Sequence, residues 1–295
     1  MKNTVFTGAG VAIVTPMNAD GSINFEQFGT NIDFQIENGT DAIVVCGTTG
    51  EASTMTDDEH IECIRFTVER TAGRIPVIAG TGSNDTRYAI ELSRKAEEVG
   101  ADALLVVTPY YNKTSQAGLI AHFTAIADSV NIPVILYNIP SRTNINISID
   151  TFVKLSEHEN IVGVKEAGGD INYFSKIIAA CGDRLDVYSG DDGMIVPVMS
   201  IGGKGVISVL SNIMPKETHE LCRLCLDNDF VEAGRIQIKL LSLINALFID
   251  VNPIPVKAAM NIMGINAGGC RMPLVEMSGE NKSRLSAAMH EAGLI

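Results

Sequence analysis

Residues 161–167 read Ile-Val-Gly-Val-Lys-Glu-Ala, a short apolar run interrupted by one lysine. The length of the run and its β-branched residues predict a strand. Because strand side chains alternate between two faces, Lys165 should share a face with Ile161 and Gly163, and the glycine should leave space beside it. The opposite face then holds three residues: Val162, Val164 and Glu166.

Lys165 has two possible roles. An ammonium group held among apolar walls has its charged form disfavoured, so its pKa falls and the neutral amine becomes a usable nucleophile. Alternatively, the lysine protects the edge of a sheet against aggregation. The rest of the chain decides between these interpretations.

Eight β-rich runs, this one included, recur about every 28 residues, a spacing typical of strand–helix units. The runs cover residues 10–15, 42–47, 76–81, 103–108, 133–138, 162–166, 186–189 and 205–209. Most are apolar throughout, as parallel strands covered by helices should be. Segments with a helical period lie between them, among them residues 25–38, 57–71 and 86–99.

Strand followed by helix, eight times over, predicts an α/β fold, the (β/α)8 TIM barrel. The alternative is an open doubly wound sheet, which normally has fewer strands and a phosphate-binding glycine motif after the first. After the eighth run, residues 215–228 predict the last barrel helix, and helical patterns continue over 230–248, 256–263 and 280–291. We therefore predict a catalytic barrel over residues 1–229 and a helical appendage packed on it over residues 230–295.

Composition limits the classes of partner. The 295 residues are 46% hydrophobic, enough for a large core, and the net charge of -13 argues against binding nucleic acid or anionic membranes. No apolar run approaches the length of a membrane span, and strand-forming sequence begins near the N-terminus, so we expect a cytoplasmic protein without a signal peptide. Cys222 and Cys225 have CxxC spacing but lie in a helical pattern, so they should pack on a helix face and not bind a metal.

Polar motifs follow the predicted strands, at the end of the barrel where active sites of this fold lie. They are GTTGE at 47–51, TPYYNK at 108–113, YNIPSRT at 137–143 and SGDD at 189–192. Three hydroxyl groups should converge on the lysine, those of Thr48, Tyr111 and Tyr137.

This set of residues suits imine chemistry. A neutral lysine attacks a ketone to give a cationic imine, which stabilises an adjacent carbanion. A phenol linked through a threonine hydroxyl can relay the protons, and the backbone N–H groups of residues 48–50 can bind a carboxylate. Arg142, after its Pro-Ser turn, can bind another carboxylate, and no His/Cys/Asp cluster indicates a metal.

Structural interpretations compete at several of these positions. Tyr137 could be a core tyrosine and Arg142 a surface residue, and Tyr110 and Tyr111 are adjacent and cannot both face the same way. Three charged residues are expected to have structural roles, two as helix caps and the last as a solvated helix lysine: Asp191, Asp192 and Lys257.

Together with GVKEA at 163–167, GVISV at 205–209 and NPIPVK at 252–257, these motifs closely resemble the dihydrodipicolinate synthase family. That family belongs to the class I pyruvate aldolase/N-acetylneuraminate lyase superfamily. The resemblance covers essentially the whole chain, in order and with matching spacing. GVKEA and GTTGE indicate only the superfamily, whereas TPYYNK with YNIPSRT points to the synthase family.

The resemblance implies a lyase that condenses pyruvate with L-aspartate 4-semialdehyde, the first committed step toward diaminopimelate and lysine. No cofactor is implied beyond the covalent imine. Four residues are implied to be catalytic, Lys165 as the imine-forming residue and a proton relay of Tyr137, Thr48 and Tyr111. Four are implied to contact substrate: Thr49, Arg142, Gly190 and Ile207. The family implies a homotetramer, a dimer of dimers, in which Tyr111 serves the neighbouring subunit.

In family members inhibited by lysine, the resemblance implies an allosteric pocket at the tight dimer interface. Its positions match, among others, Ser53, His60, Asn84, Tyr88 and Tyr110. Inhibited members have an acid at position 88 that pairs with the ammonium of lysine, a charge that Tyr88 cannot supply. We therefore expect weak or absent inhibition by lysine.

Three other functions stay open on sequence alone. An aldolase that cleaves N-acetylneuraminate or a 2-keto-3-deoxy sugar acid would share Lys165 and Tyr137 but needs a longer polyol-binding cleft. Arg142 and the Tyr110–Tyr111 pair weigh against it. A catalytically silent barrel used as a sensor would fail to form an imine, and a metal-dependent aldolase would be sensitive to EDTA.

Overall fold

The structure, a computed structural model, describes residues 2–295 and shows a closed barrel of eight strands in chain order. All neighbouring strands are parallel, and the eighth strand pairs with the first. The strands are β1 Gly8–Ala12, β2 Ala42–Val45, β3 Val77–Gly80, β4 Ala103–Val107, β5 Val134–Asn138, β6 Ile161–Glu166, β7 Asp186–Ser189 and β8 Gly205–Ser208. The predicted (β/α)8 TIM barrel is confirmed.

Helices follow the strands and form the outer layer. They are α1 Phe25–Glu37, α2 Asp57–Thr71, α3 Thr86–Glu98, α4 Gln116–Ala127, α5 Pro140–Thr143, α6 Ile149–Leu155, α7 Ile171–Cys181, α8 Ile195–Ser200, α9 Pro215–Leu226, α10 Phe230–Ala246, α11 Ile254–Ile262 and α12 Gly279–Ala292. Each helix predicted from the sequence is present, with ends that shift by at most two residues.

Helix α2 shows why the sequence signals were sufficient. The Thr56 hydroxyl accepts a hydrogen bond from the backbone N–H of Glu59, while the Glu59 carboxylate accepts one from the N–H of Thr56. This reciprocal capping box stabilises a helix start by about 1 kcal/mol. The helix ends at Thr71, and Ala72 after it adopts a left-handed conformation with φ of 51°. Both ends are therefore fixed by local interactions.

Strand β6 departs from regular alternation. Its register with β5 shifts, so that Val134 pairs with Ile161 but Ile135 pairs with Gly163. As a result Ile161 packs in the layer between strands and helices, whereas Val162 packs in the barrel interior. The predicted faces of these two residues were wrong.

The helices after α9 pack over one end of the barrel. Their apolar side chains share a cluster with residues that follow β1 and β8, among them Val14, Val209 and Leu210. The division of the chain at residue 230 stays a prediction. Within residues 2–295, no helix combines the length and the apolar character that crossing a membrane requires.

Candidate active site

Lys165 lies on β6 with its side chain inside the barrel. The residue is 6% exposed, and its Nζ lies 4.5 Å from the centroid of the Tyr137 ring on β5. Burial lowers the pKa of the lysine to about 8, and the nearby carboxylate of Asp192 opposes part of that fall. The edge-strand interpretation is excluded because β6 has a strand on each side.

The space beside the lysine is provided by Gly190. A Cβ at this position would lie 3.0 Å from Lys165 Cε and 2.7 Å from Ala167 Cβ, closer than carbon atoms normally pack. Gly163, in contrast, faces Tyr188, whose ring a Cβ would approach to 3.3 Å. The sequence argument assigned this space to Gly163, but the structure assigns it to Gly190.

Tyr137 is the aromatic neighbour of the lysine. It is 6% exposed and packs in the interior cluster with the fully buried Ile207. Burial raises the pKa of Tyr137 to about 12, while the charge of Arg142 and the hydroxyl of Thr48 partly oppose that rise. The phenol therefore keeps its proton at neutral pH and can donate it to a developing base.

Thr49 and Arg142 are linked by a residue that sequence reasoning missed. The buried Asn252 donates from Nδ2 to Thr49 Oγ1 at 2.9 Å, and its backbone carbonyl accepts from Arg142 Nη2 at 3.3 Å. Arg142 itself lies exposed in the short helix α5, which begins at Pro140. The sequence signal for Asn252 was its place in the NPIPVK motif, which was used only for the resemblance.

Tyr111 is not part of this group within one chain. Its side chain is 94% exposed and its backbone has φ of 65°, in the left-handed region that favours glycine. Of the three hydroxyl groups predicted to converge on the lysine, that of Tyr137 lies beside Lys165 and that of Thr48 lies against Tyr137, whereas Tyr111 of the same chain lies apart. The adjacent Tyr110 is 38% exposed and lies against a neighbouring cavity.

That cavity, of about 280 Å³, runs from Thr48 and Tyr137 to four of the predicted allosteric positions. Those four are Ser53, His60, Tyr88 and Tyr110. The fifth, Asn84, donates from Nδ2 to the backbone carbonyl of Tyr110 at 3.2 Å. The Tyr88 hydroxyl donates to Asp57 Oδ1 at 2.6 Å.

Two structural predictions made from the sequence were wrong. Asp191 does cap the following turn by accepting from the N–H of Gly193 at 2.8 Å, but Asp192 is fully buried and accepts from the N–H groups of Val209 and Leu210. Its carboxylate joins the ends of β7 and β8, and it caps no helix.

Lys257 is the second error, since it is buried and not solvated. Its Nζ donates to Glu51 Oε1 and to the carbonyl of Gly269, both at 2.6 Å. The side chains of the pair are 2% and 1% exposed. Lys257, which lies on the C-terminal helix α11, thus anchors the GTTGE loop through Glu51.

The predicted packing of the two cysteines on a helix face agrees with the structure. Cys222 and Cys225 are free thiols buried on one side of α9. Among residues 2–295, His, Cys, Asp and Glu side chains form no group of three that could bind a metal ion.

Comparison with known proteins identifies close relatives. Residues 5–292 match the model of the Dihydrodipicolinate synthetase family. A 4-hydroxy-tetrahydrodipicolinate synthase from Acetivibrio thermocellus is 56% identical over 295 residues, 100% of each chain. The crystal structure of dihydrodipicolinate synthase from Aquifex aeolicus is 49% identical, with a TM-score of 0.95 over 98% of this chain and 99% of that one. The chloride-inhibited dihydrodipicolinate synthase from Acinetobacter baumannii, complexed with pyruvate, is 45% identical, with a TM-score of 0.97 over 99% and 100% of the two chains.

Proposed function

The chain belongs to the dihydrodipicolinate synthetase family, and from this premise we propose that it condenses pyruvate with L-aspartate 4-semialdehyde through an imine that forms on Lys165. The enzyme is a lyase of lysine and diaminopimelate biosynthesis. The observation that supports the mechanism most directly is the buried Lys165 amine beside Tyr137, with its pKa lowered to about 8. At this pKa about one amine in ten is neutral at pH 7, against about one in 3,000 for an ordinary lysine.

The steps follow from the positions of these groups. Lys165 Nζ adds to the ketone carbon of pyruvate, and the ketone oxygen takes one proton from the nitrogen and one from the relay and leaves as water, so that a protonated imine remains. Loss of a methyl proton gives an enamine, whose carbon attacks the aldehyde carbon while the aldehyde oxygen takes up a proton. Attack by the amino group of the second substrate then closes the ring and frees the lysine. We assign the proton transfers to Tyr137 and Thr48, with no cofactor beyond the imine.

The remaining substrate contacts are assigned to the positions of this chain that match the binding motifs of the family. The backbone at Thr49 binds the pyruvate carboxylate, and Gly190 and Ile207 line the pocket around the imine. Arg142 binds the carboxylate of the aldehyde. The carbonyl of Asn252 accepts a hydrogen bond from Arg142 on α5, and this supports the role because a guanidinium held in place can orient a carboxylate.

A prediction for Arg142 separates the two substrates. The variant Arg142→Ala should raise KM for the aldehyde by about 100-fold, because a charge-assisted pair is lost, while pyruvate still forms the imine. Steady-state kinetics with both substrates varied checks this. Arg142→Lys keeps the charge but not the paired donors, so it should restore only part of the loss. An unchanged KM for the aldehyde would contradict the assignment.

The exposed Tyr111 supports an oligomer. A phenol that is 94% exposed in one chain can serve as a proton relay only if it enters the site of a second copy. We propose a homotetramer made of two dimers, with Tyr111 exchanged between the subunits of each dimer. A cytoplasmic location belongs to the same proposal.

The substrate assay decides between this function and its alternatives. The purified enzyme should consume pyruvate only when L-aspartate 4-semialdehyde is present, and should not cleave N-acetylneuraminate or a 2-keto-3-deoxy sugar acid. Cleavage of either sugar acid at a comparable kcat/KM would move the assignment to the sugar aldolases. Loss of activity on addition of EDTA would support a metal-dependent aldolase.

We also predict weak or absent inhibition by lysine. Burial raises the pKa of Tyr88 to about 12, so its phenol stays neutral, and its hydroxyl is already bonded to Asp57. A bound ammonium that lacks its acidic partner loses about 2–3 kcal/mol, or about 100-fold in affinity. Titrating lysine into the condensation assay measures this. An inhibition constant in the low-to-mid micromolar range would refute the prediction, and Tyr88→Glu should increase sensitivity to lysine.

A further inference from the structure

Two buried polar residues stand directly behind the reactive pair. Asn138 follows Tyr137 on β5, Glu166 follows Lys165 on β6, and the register pairs Tyr137 with Lys165 and Asn138 with Glu166. Because side chains alternate along a strand, Asn138 and Glu166 point away from the barrel interior. The barrel therefore has an inner pair at the site of reaction and an outer pair on the opposite face of the same two strands.

One short hydrogen bond joins the outer pair, and a second holds the other oxygen of Glu166. Asn138 Nδ2 donates to Glu166 Oε2 at 2.6 Å, and the backbone N–H of Gly168 donates to Glu166 Oε1 at 2.6 Å. Asn138 and Glu166 are 0% and 1% exposed. Burial raises the pKa of the Glu166 carboxyl to about 7, and the hydrogen bonds from Asn138 and Gly168 oppose that rise. These donors therefore stabilise the carboxylate form at this depth.

The same asparagine reaches the segment that follows Arg142. Asn138 Nδ2 also donates to Asn146 Oδ1 at 2.6 Å, and the backbone N–H of Ile147 donates to Asn138 Oδ1 at 3.2 Å. Residues 146 and 147 lie just after α5, the helix that holds Arg142. The outer pair thus connects β5, β6 and the α5 turn at one point.

We propose that the Asn138–Glu166 pair sets the relative position of Tyr137 and Lys165, and that Glu166 is a positioning residue for the imine chemistry. The kinetic part of this inference rests on the function proposed above. Glu166 touches no substrate and acts through the strand on which Lys165 lies. A displacement of about 1 Å at reacting groups lowers a rate by about 100-fold, so a weak joint between β5 and β6 should affect turnover.

Reversing the polarity of the pair provides the test. In Glu166→Gln one acceptor oxygen becomes an NH2 group, which faces either the Nδ2 donor of Asn138 or the N–H of Gly168. Rotating the asparagine only moves the conflict to the N–H of Ile147. In Asn138→Asp two carboxyl groups face each other. The double variant Asn138→Asp/Glu166→Gln satisfies both positions again once the exposed Asn146 amide rotates to present its Nδ2 to the new carboxylate. Its carboxylate on β5 accepts from the new amide on β6 and from the N–H of Ile147, and the oxygen of that amide still accepts from the N–H of Gly168.

Each single variant should lose about 10- to 100-fold in kcat with a smaller change in the KM for pyruvate, and the double variant should recover most of the loss. Ser93→Ala is the matched control. It removes one hydroxyl from a buried pair behind β3, in which Ser93 Oγ lies 2.9 Å from Thr81 Oγ1. A general loss of stability would affect this control as well, whereas a specific role of the outer pair leaves its kcat within about twofold of the wild type.

A crystal structure of Glu166→Gln gives a readout that needs no turnover. The 4.5 Å contact between Lys165 Nζ and the Tyr137 ring should be lost in this variant and present in the double variant. An unchanged contact in Glu166→Gln, or a double variant no more active than the single ones, would overturn the proposal. Failure of the wild type to trap pyruvate would instead overturn the proposed function, and the structural comparison would still decide whether the pair positions these two side chains.

Discussion

Replacing Lys165 by alanine should abolish condensation, with a loss of about 10,000-fold or more, because the covalent route loses its nucleophile. The side chain is buried and bears the only amine beside Tyr137 among the described residues, so no neighbouring lysine can substitute for it. Lys257 is held by Glu51 and Gly269, which keeps its amine out of the pocket.

Mass spectrometry of the intact protein after borohydride reduction measures the intermediate directly. Wild-type protein incubated with pyruvate should gain one pyruvate-sized adduct, and Lys165→Ala should gain none. Lys176→Ala, which removes an exposed lysine on α7, should form the adduct as the wild type does. Absence of an adduct on the wild type would reject the imine mechanism and favour a metal-dependent or non-catalytic barrel.

The sequence predicted the barrel because each strand is covered on both sides. Residues 103–107 are apolar throughout, and a run of this kind indicates a parallel strand even without pairing information. The same feature limited the precision of the strand ends. Residues 10–15 were predicted as the first strand, but β1 is Gly8–Ala12. Ile13 and Val14 are still buried although the pairing of β1 with β8 has already ended, so an apolar pattern alone places the end of the strand too late.

The face of each residue on β6 could not be predicted for a related reason. A register shift reverses the side to which Ile161 and Val162 point. A strand that is apolar on both faces has no alternation of polar and apolar residues from which such a shift could be detected. The strand-end motifs did locate Lys165, Tyr137 and Thr48, since parallel strands bring their C-terminal ends to one side of the barrel.

The missed residues share one property, a partner far away in the sequence. Asn252 bonds to Thr49 across 203 positions, and Lys257 bonds to Glu51 across 206. No spacing rule relates such residues, and a lysine in a helical pattern is normally exposed. The contact between the C-terminal helices and the GTTGE loop therefore had to come from the structure.

The variant Lys257→Met should cause a large loss of stability, because it removes the buried ion pair between Lys257 and Glu51. Methionine fills a similar volume but leaves the Glu51 carboxylate buried without its cationic partner, although the backbone N–H of Arg271 still donates to it at 2.9 Å. Removing one partner of a buried ion pair costs about 3–5 kcal/mol, a large part of the 5–15 kcal/mol that stabilises a typical protein. We expect the Tm to fall by about 10 °C.

Because Glu51 closes the loop that holds Thr48 and Thr49, activity should be lost on heating before the rest of the protein unfolds. Thermal unfolding and residual activity after heating, measured on the same samples, check this. Lys239→Met removes an exposed lysine on α10 and should change stability by less than about 0.5 kcal/mol.

A double variant separates charge from packing in this contact. Lys257→Met/Glu51→Gln leaves no buried charge, so it should be more stable than Lys257→Met alone even though it contains one more substitution. If instead the two losses add, the two side chains are not coupled, and the electrostatic explanation is wrong. If Lys257→Met unfolds at the wild-type temperature, the C-terminal helices do not hold the GTTGE loop through this ion pair.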